Sequence, residues 1–195
     1  MESYSTTDII KILREKDIVY FSITDFGRLF KLQNQNSLYK RIARLEKEGI
    51  IKKLINGKYL FLFGQGTDYH TANFLNSSSY ISLDTALSYY GIISGFPYQI
   101  TSVTVKKTGN FKVDQKEYTY SHISQKLYWG YEKKEGFLIA GKEKAVLDYM
   151  YFYTKGLRSW NEEEFDFSQV DGKKLSVYGK KFNNDRISFL VKKII

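Results

Sequence analysis

The stretch that decides the fold is Ser37–Gly57, SLYKRIARLEKEGIIKKLING. Its apolar residues recur at spacings of four and three, which marks one face of an α-helix: Leu38, Ile42 and Leu45. Gly49 comes next and readily ends a helix. Asn56-Gly57 is the strongest short signal for a β-hairpin. The stretch therefore predicts a helix that ends at about Glu48, followed by two antiparallel strands.

Two shorter helices are predicted upstream of this stretch. Thr7-Asp8 offers an N-cap for the first helix, and Thr24 or Asp25 offers one for the second. The segment between them, residues 17–22, is short and β-prone. We expect Asn36 or Ser37 to cap the third helix. Three helices followed by a hairpin is the order of a winged helix-turn-helix.

The polar face of the third helix carries groups suited to DNA. Hydroxyl, amide and guanidinium groups serve readout of the major groove and contacts to phosphates. On the helix we expect DNA contacts from Asn36, Ser37, Tyr39, Lys40, Arg41 and Arg44. On the hairpin, or wing, we expect phosphate contacts from Lys52, Lys53 and Lys58. For any single helix, the simpler interpretation of a basic face is that it is only solvated.

The net charge supports this hypothesis once it is located. The chain has 195 residues, a formal net charge of +9 and a sequence pI near 9.4. An A/T-rich genome favours Lys, Asn, Ile, Tyr and Phe, so the total alone is ambiguous. Residues 1–63 carry +5 and residues 67–195 carry +4. The shorter segment thus holds more than half of the excess, as an electrostatic footprint for nucleic acid requires.

Composition excludes several kinds of site. The chain has no cysteine and two histidines, so a disulfide framework, a thiolate metal site and a three-histidine zinc site are ruled out. Phosphate-loop motifs are missing. We expect no catalytic residue, no metal and no cofactor. No apolar run approaches the ~20 residues of a membrane span, and residues 1–4 lack the pattern of a signal peptide. A cytoplasmic protein is expected.

Gly64-Gln65-Gly66 separates two predicted domains. The first, residues 1–63, is the winged helix-turn-helix. The second, residues 67–195, reads as a mixed α/β domain, so the fold class is α+β. Its predicted strands include Gln99–Lys107, Glu117–Ile123 and Gln125–Glu132.

A metal-dependent nuclease is the enzymatic alternative. Such a site needs an acidic residue and then an acid-x-Lys motif on a neighbouring strand. Asp114 with Glu132-Lys133-Lys134 matches this motif in sequence. The charge run Glu132–Glu135 beside Gly136 favours a solvated turn instead. Asp148 is expected to bond a backbone or basic group.

Three blocks resemble the AbiEi-type antitoxin family. Ser37–Ile51 with Asn56–Tyr59 is similar to the winged-helix start of that family. Tyr80–Leu87 followed by Tyr90-Gly91 is similar to its central block, and Ala140–Asp148 to its "eKAllD" helix. The blocks keep the family order, although each is short. Tyr90 stands where the family usually has histidine, which removes a titratable group.

This resemblance implies a bacterial antitoxin of a type IV toxin–antitoxin module. Such proteins bind operator repeats in double-stranded DNA, repress their own promoter and act in abortive infection against phage. The second domain counters a nucleotidyltransferase-like toxin without requiring a stable complex. The alternatives that remain are a stand-alone winged-helix regulator, a winged helix that binds protein or RNA, and the nuclease.

Overall fold

The computed structural model describes residues 4–195. The chain divides into two compact units, the first ending at Leu75 and the second spanning Asn76–Ile195. The glycine-rich break at residues 64–66 lies within the first unit, between its last strand and its last helix. Within residues 4–195, no helix combines the length and apolar character needed to cross a membrane.

Residues 4–75 of the first unit form four helices and one three-stranded sheet. Its elements in chain order are α1 Thr6–Glu15, β1 Tyr20–Ser22, α2 Ile23–Leu29, α3 Gln35–Lys47, β2 Ile51–Ile55, β3 Lys58–Phe61 and α4 Asp68–Leu75. The strand order is β1-β3-β2, and both pairings are antiparallel. Gly57, at φ +75°, makes the tight β2–β3 turn that Asn56-Gly57 predicts.

The predicted caps of the first three helices are wrong by two or three residues. Ser5 and Ser22 are the N-caps of α1 and α2, and each accepts a bond from the backbone N–H of an aspartate three residues later. The Asp8 and Asp25 carboxylates in turn accept bonds from the backbone N–H groups of Ser5 and Ser22, which completes two capping boxes. Asn34 caps α3. Asp8 and Asp25 therefore lie in the first turn as bonding partners of the caps.

The apolar stripe of α3 is confirmed and packs into a core shared by the first three helices and the sheet. Leu38, Ile42 and Leu45 are buried with side chains from α1, α2 and the strands, among them Ile9, Leu13, Phe21, Phe26, Phe61. Gly27 lets α2 approach α3 closely, because a Cβ at Gly27 would stand 3.2 Å from Leu38 Cδ2. The core therefore fixes how α3 is rotated about its axis.

The second unit is a mixed sheet with helices packed on it. Its strands are β4 Ser79–Ile81, β5 Ile100–Thr104, β6 Gly109–Val113, β7 Lys116–His122, β8 Tyr131–Lys134 and β9 Phe137–Ala140. Its helices are α5 Leu83–Tyr89, α6 Lys142–Thr154, α7 Gly172–Lys180 and α8 Asp185–Ile194. The order is β6-β7-β5-β4-β9-β8, with β5·β7 and β4·β9 parallel and the other pairs antiparallel. The α+β class is thus confirmed.

Two local predictions in this unit are wrong. The third strand expected at Gln125–Glu132 is a 3₁₀ turn, Gln125–Leu127, followed by β8. The charge run Glu132–Glu135 is a strand as far as Lys134, because an edge strand can expose charged side chains that a central strand would bury.

A buried polar network ties α6 to the sheet. Lys144 and Asp148 form a fully buried ion pair one helical turn apart. The hydroxyls of Tyr80 and Ser82 each donate to Asp148 Oδ2 at 2.9 Å, and Lys144 Nζ donates to the Tyr80 hydroxyl at 2.9 Å. Burial raises the pKa of Asp148 and lowers that of Lys144, and their mutual attraction opposes both shifts. The expectation that Asp148 bonds a basic group is confirmed.

Breaking this ion pair should destabilise the second unit. Lys144→Met leaves the Asp148 carboxylate buried without its cation, which costs about 3–5 kcal/mol of unfolding free energy. Lys192→Met, at an exposed position of α8, should cost less than about 0.5 kcal/mol. Equilibrium urea unfolding followed by circular dichroism measures both. Equal losses in the two variants would contradict this role for the pair.

Candidate nucleic-acid interface

The outward face of α3 is polar and basic. Five of the predicted DNA-contacting residues on this helix are exposed: Asn36, Ser37, Tyr39, Lys40 and Arg44. Arg41 is half-buried and lies on the flank of the apolar stripe. At about 100° per residue, Asn36, Lys40 and Lys47 stand opposite the buried stripe. The burial of one face thus aims these three side chains at solvent.

Lys47 belongs to this face although the sequence analysis did not select it. It is exposed, and it lies seven residues after Lys40, which is close to two full turns. The helical periodicity that identified the apolar stripe also identifies Lys47 once the opposite face is projected. Between Asn34 and Leu45 the helix and its cap carry no acidic residue.

Arg44 is held by an ion pair. Its Nε donates to Glu48 Oε1 at 2.7 Å, and this bond is the main reason why the pKa of Glu48 lies below its usual value. Glu48 also accepts a bond from Thr6 Oγ1 at 3.1 Å, which links α1 to the end of α3. The charge of Arg44 is therefore partly neutralised by a neighbouring carboxylate, whereas Lys40 and Lys47 are the more accessible cations of the face.

The hairpin lysines have different surroundings. Lys53 is exposed and Lys52 is half-buried. The Lys58 ammonium instead donates to the carbonyls of Phe74 and Leu75 at 2.6 and 3.0 Å, and it lies 4.9 Å from the centre of the Phe74 ring. A cation at a helix C-terminus is stabilised by the orphan carbonyls there. The Lys58 ammonium is accordingly bonded to the end of α4, whereas Lys53 is the exposed lysine of the hairpin.

The nuclease constellation is not assembled. Asp114 lies in the turn between β6 and β7, whereas Glu132 lies on β8 at the opposite edge of the six-stranded sheet. Five strand spacings of about 4.8 Å separate those edges. Within residues 4–195, no three His, Asp or Glu side chains are placed to hold a metal ion.

Two sequence blocks of the second unit, Tyr80–Gly91 and Ala140–Asp148, converge on buried contacts. Tyr80, Ser82, Lys144 and Asp148 all belong to the buried network. The hydroxyl of Tyr90 donates to the Ala140 carbonyl at 2.9 Å, and burial raises its pKa to about 12. These blocks therefore hold the fold of this unit together.

No protein-family model and no curated protein matches this chain.

The role assigned to Lys58 is testable through stability. Lys58→Met removes the ammonium from two helix-end carbonyls and should lower the unfolding free energy by about 1–2 kcal/mol. Lys53→Met, on the exposed side of the hairpin, should change it by less than about 0.5 kcal/mol. Urea unfolding of both variants measures the difference. If Lys53→Met proves as damaging as Lys58→Met, the contact with α4 carries no stability.

Proposed function

We propose that the first unit is a winged helix that binds double-stranded DNA, with α3 in the major groove and the β2–β3 hairpin as its wing. The observation that carries this proposal is the outward face of α3. There, Asn36, Lys40 and Lys47 project opposite a fully buried apolar stripe. The major groove of B-DNA is about 12 Å wide and admits an α-helix.

The side chains divide by chemistry. Lys40 and Lys47 neutralise phosphates and supply affinity that depends on salt. Asn36, Ser37 and Tyr39, near the start of the helix, offer hydrogen bonds to base edges. Arg41 and Arg44 flank the face, and Arg44 can exchange its bond to Glu48 for a phosphate or a guanine edge.

The central test removes the two outward lysines. Lys40→Ala with Lys47→Ala should weaken binding to a duplex from upstream of the gene roughly tenfold or more at 0.1 M salt, and should reduce the slope of log affinity against log salt by about two. Fluorescence anisotropy across a salt series measures both quantities.

A charge-matched control separates the α3 face from the net charge of the chain. Lys192→Ala with Lys193→Ala removes the same two charges from α8 in the second unit and should leave the slope within about half a unit. Equal effects from the two double variants would contradict groove binding by α3. Retention of full affinity for duplex RNA alone would favour the RNA-binding alternative.

The wider biological role that we propose is an autorepressor and antitoxin of a type IV toxin–antitoxin module, acting in the cytoplasm by binding and without catalysis. Its support is the resemblance of three sequence blocks, in the family order, to AbiEi-type antitoxins. Two of these blocks meet in the buried network of the second unit. DNA binding by α3 also fits a stand-alone winged-helix regulator, and an adjacent nucleotidyltransferase-like gene distinguishes the two.

Co-expression separates the two proposed activities. The full chain should restore growth to cells that express a nucleotidyltransferase-like toxin encoded beside it. The Lys40→Ala, Lys47→Ala variant should restore growth equally while losing repression of a promoter fusion, because the second unit is unchanged. Absence of rescue by the unaltered chain would contradict the antitoxin role and leave DNA binding unaffected.

A further inference from the structure

A slab of stacked aromatic rings lies after α6 in the second unit. Trp160 and Phe165 stack at 4.6 Å between ring centres with 22° between planes, and Phe165 and Phe167 stack at 5.6 Å with 5°. All three rings are half-buried. Tyr149 packs against Phe165 at 5.3 Å and Tyr153 against Trp160 at 6.0 Å. We call these five residues the aromatic slab.

The rim of the aromatic slab is acidic in a chain that is strongly basic. Residues 159–168 hold four carboxylates and no Lys or Arg, against a net charge of +9 for the whole chain. Glu162, Glu163, Glu164 and Asp166 are all exposed. The pKa of Tyr149 is raised first by burial and then by the Asp84 carboxylate. Arg158 lowers this pKa, and Glu164 raises it. Carboxylates therefore outnumber the cations near the rings, where Arg158 lies close to Tyr149.

Cations of this chain cover other rings but not these. Lys181 lies 4.7 Å from the centre of the Trp129 ring and Lys155 lies 4.3 Å from that of Tyr151. Within residues 4–195, no lysine or arginine lies over Trp160, Phe165 or Phe167 in this way. In the part of the chain that the structure describes, the rings of Trp160, Phe165 and Phe167 thus lie beside carboxylates without a cation stacked on them, while Arg158, near Tyr149, pairs with Asp84 at 3.4 Å.

A pocket with both apolar and charged lining, Asp84 and Arg158 among the charged side chains, adjoins the slab at Tyr149. Its volume is about 530 Å³, and its lining includes Phe96, Tyr98 and Glu117. Phe96 is 95% exposed and Tyr98 is 72% exposed. Such large exposed aromatic side chains beside a pocket are typical of surfaces that bind a protein partner. The pocket can take an aliphatic side chain next to a cation on the slab.

We propose that the aromatic slab and its adjoining pocket form a docking surface for an arginine-containing basic segment of a partner protein. Guanidinium groups stack on the rings of Trp160 and Phe165 and pair with the rim carboxylates, while a neighbouring apolar residue of the segment enters the pocket. Arginine fits better than lysine because its planar group stacks on aromatic faces and bonds carboxylates through two N–H groups. This surface is independent of α3 and of DNA binding.

A capped hexapeptide of alternating arginine and leucine is the probe, with the full chain as receptor. It should bind at low salt, as measured by isothermal titration calorimetry, and more tightly than the peptide with lysine in place of arginine. Trp160→Leu keeps an apolar side chain but removes the ring face, so it should weaken binding about 3- to 30-fold. Phe189→Leu, at a 61% exposed ring of α8, should leave binding unchanged.

A second variant keeps the apolar surface intact. Glu162→Gln, Glu163→Gln and Glu164→Gln together should weaken peptide binding about tenfold. The matched set Glu15→Gln, Glu46→Gln and Glu132→Gln removes three exposed carboxylates elsewhere and should change affinity less than about twofold.

Three results would overturn the proposal. Equal affinity for the arginine and lysine peptides would reduce binding to general electrostatics. Equal effects of the two glutamine sets would do the same. A dimer of the unaltered chain that Trp160→Leu dissociates in sedimentation experiments would show that a second copy, not a basic partner, occupies the surface.

Discussion

Burial of Leu38, Ile42 and Leu45 is the constraint on which the functional account depends. Burial of each of these three side chains stabilises the folded state by about 1.5–3 kcal/mol, and together they fix the rotation of α3 about its axis. Once that rotation is fixed, the helical geometry makes Asn36, Lys40 and Lys47 face outward. The close approach at Gly27 and the Asn34 cap set the position and the start of the helix. The outward polar and basic face of α3 is thus a consequence of core packing.

The second unit depends on a different interaction, the buried ion pair of Lys144 and Asp148. A buried pair is costly unless its remaining hydrogen-bonding groups are satisfied, and here Tyr80 and Ser82 complete the bonds of the carboxylate. The rings of Trp129 and Phe182 lie 5.2 and 5.1 Å from the Lys144 ammonium. One polar cluster therefore joins β4, α6 and the aromatic side chains around them.

Much of the first unit could be predicted because its signals are local. The α3 stripe and the Asn56-Gly57 turn are readable from spacing alone. The contact of Lys58 with Phe74 was not readable, since it joins residues 16 apart through tertiary packing. Strand β6 was missed because Gly109-Asn110 at its start is exposed and weakly β-prone. The pair Lys144 and Asp148 has ordinary helical spacing, and only the fold shows that both are buried.

We propose that the face of α3 opposite the buried stripe contacts DNA. Lysine acetylation footprinting of the full chain, with and without a duplex from upstream of its gene, tests this most directly. We expect bound DNA to protect Lys40, Lys47 and Lys53 from acetylation. Unchanged acetylation of Lys40 and Lys47 on a chain saturated with DNA would contradict it.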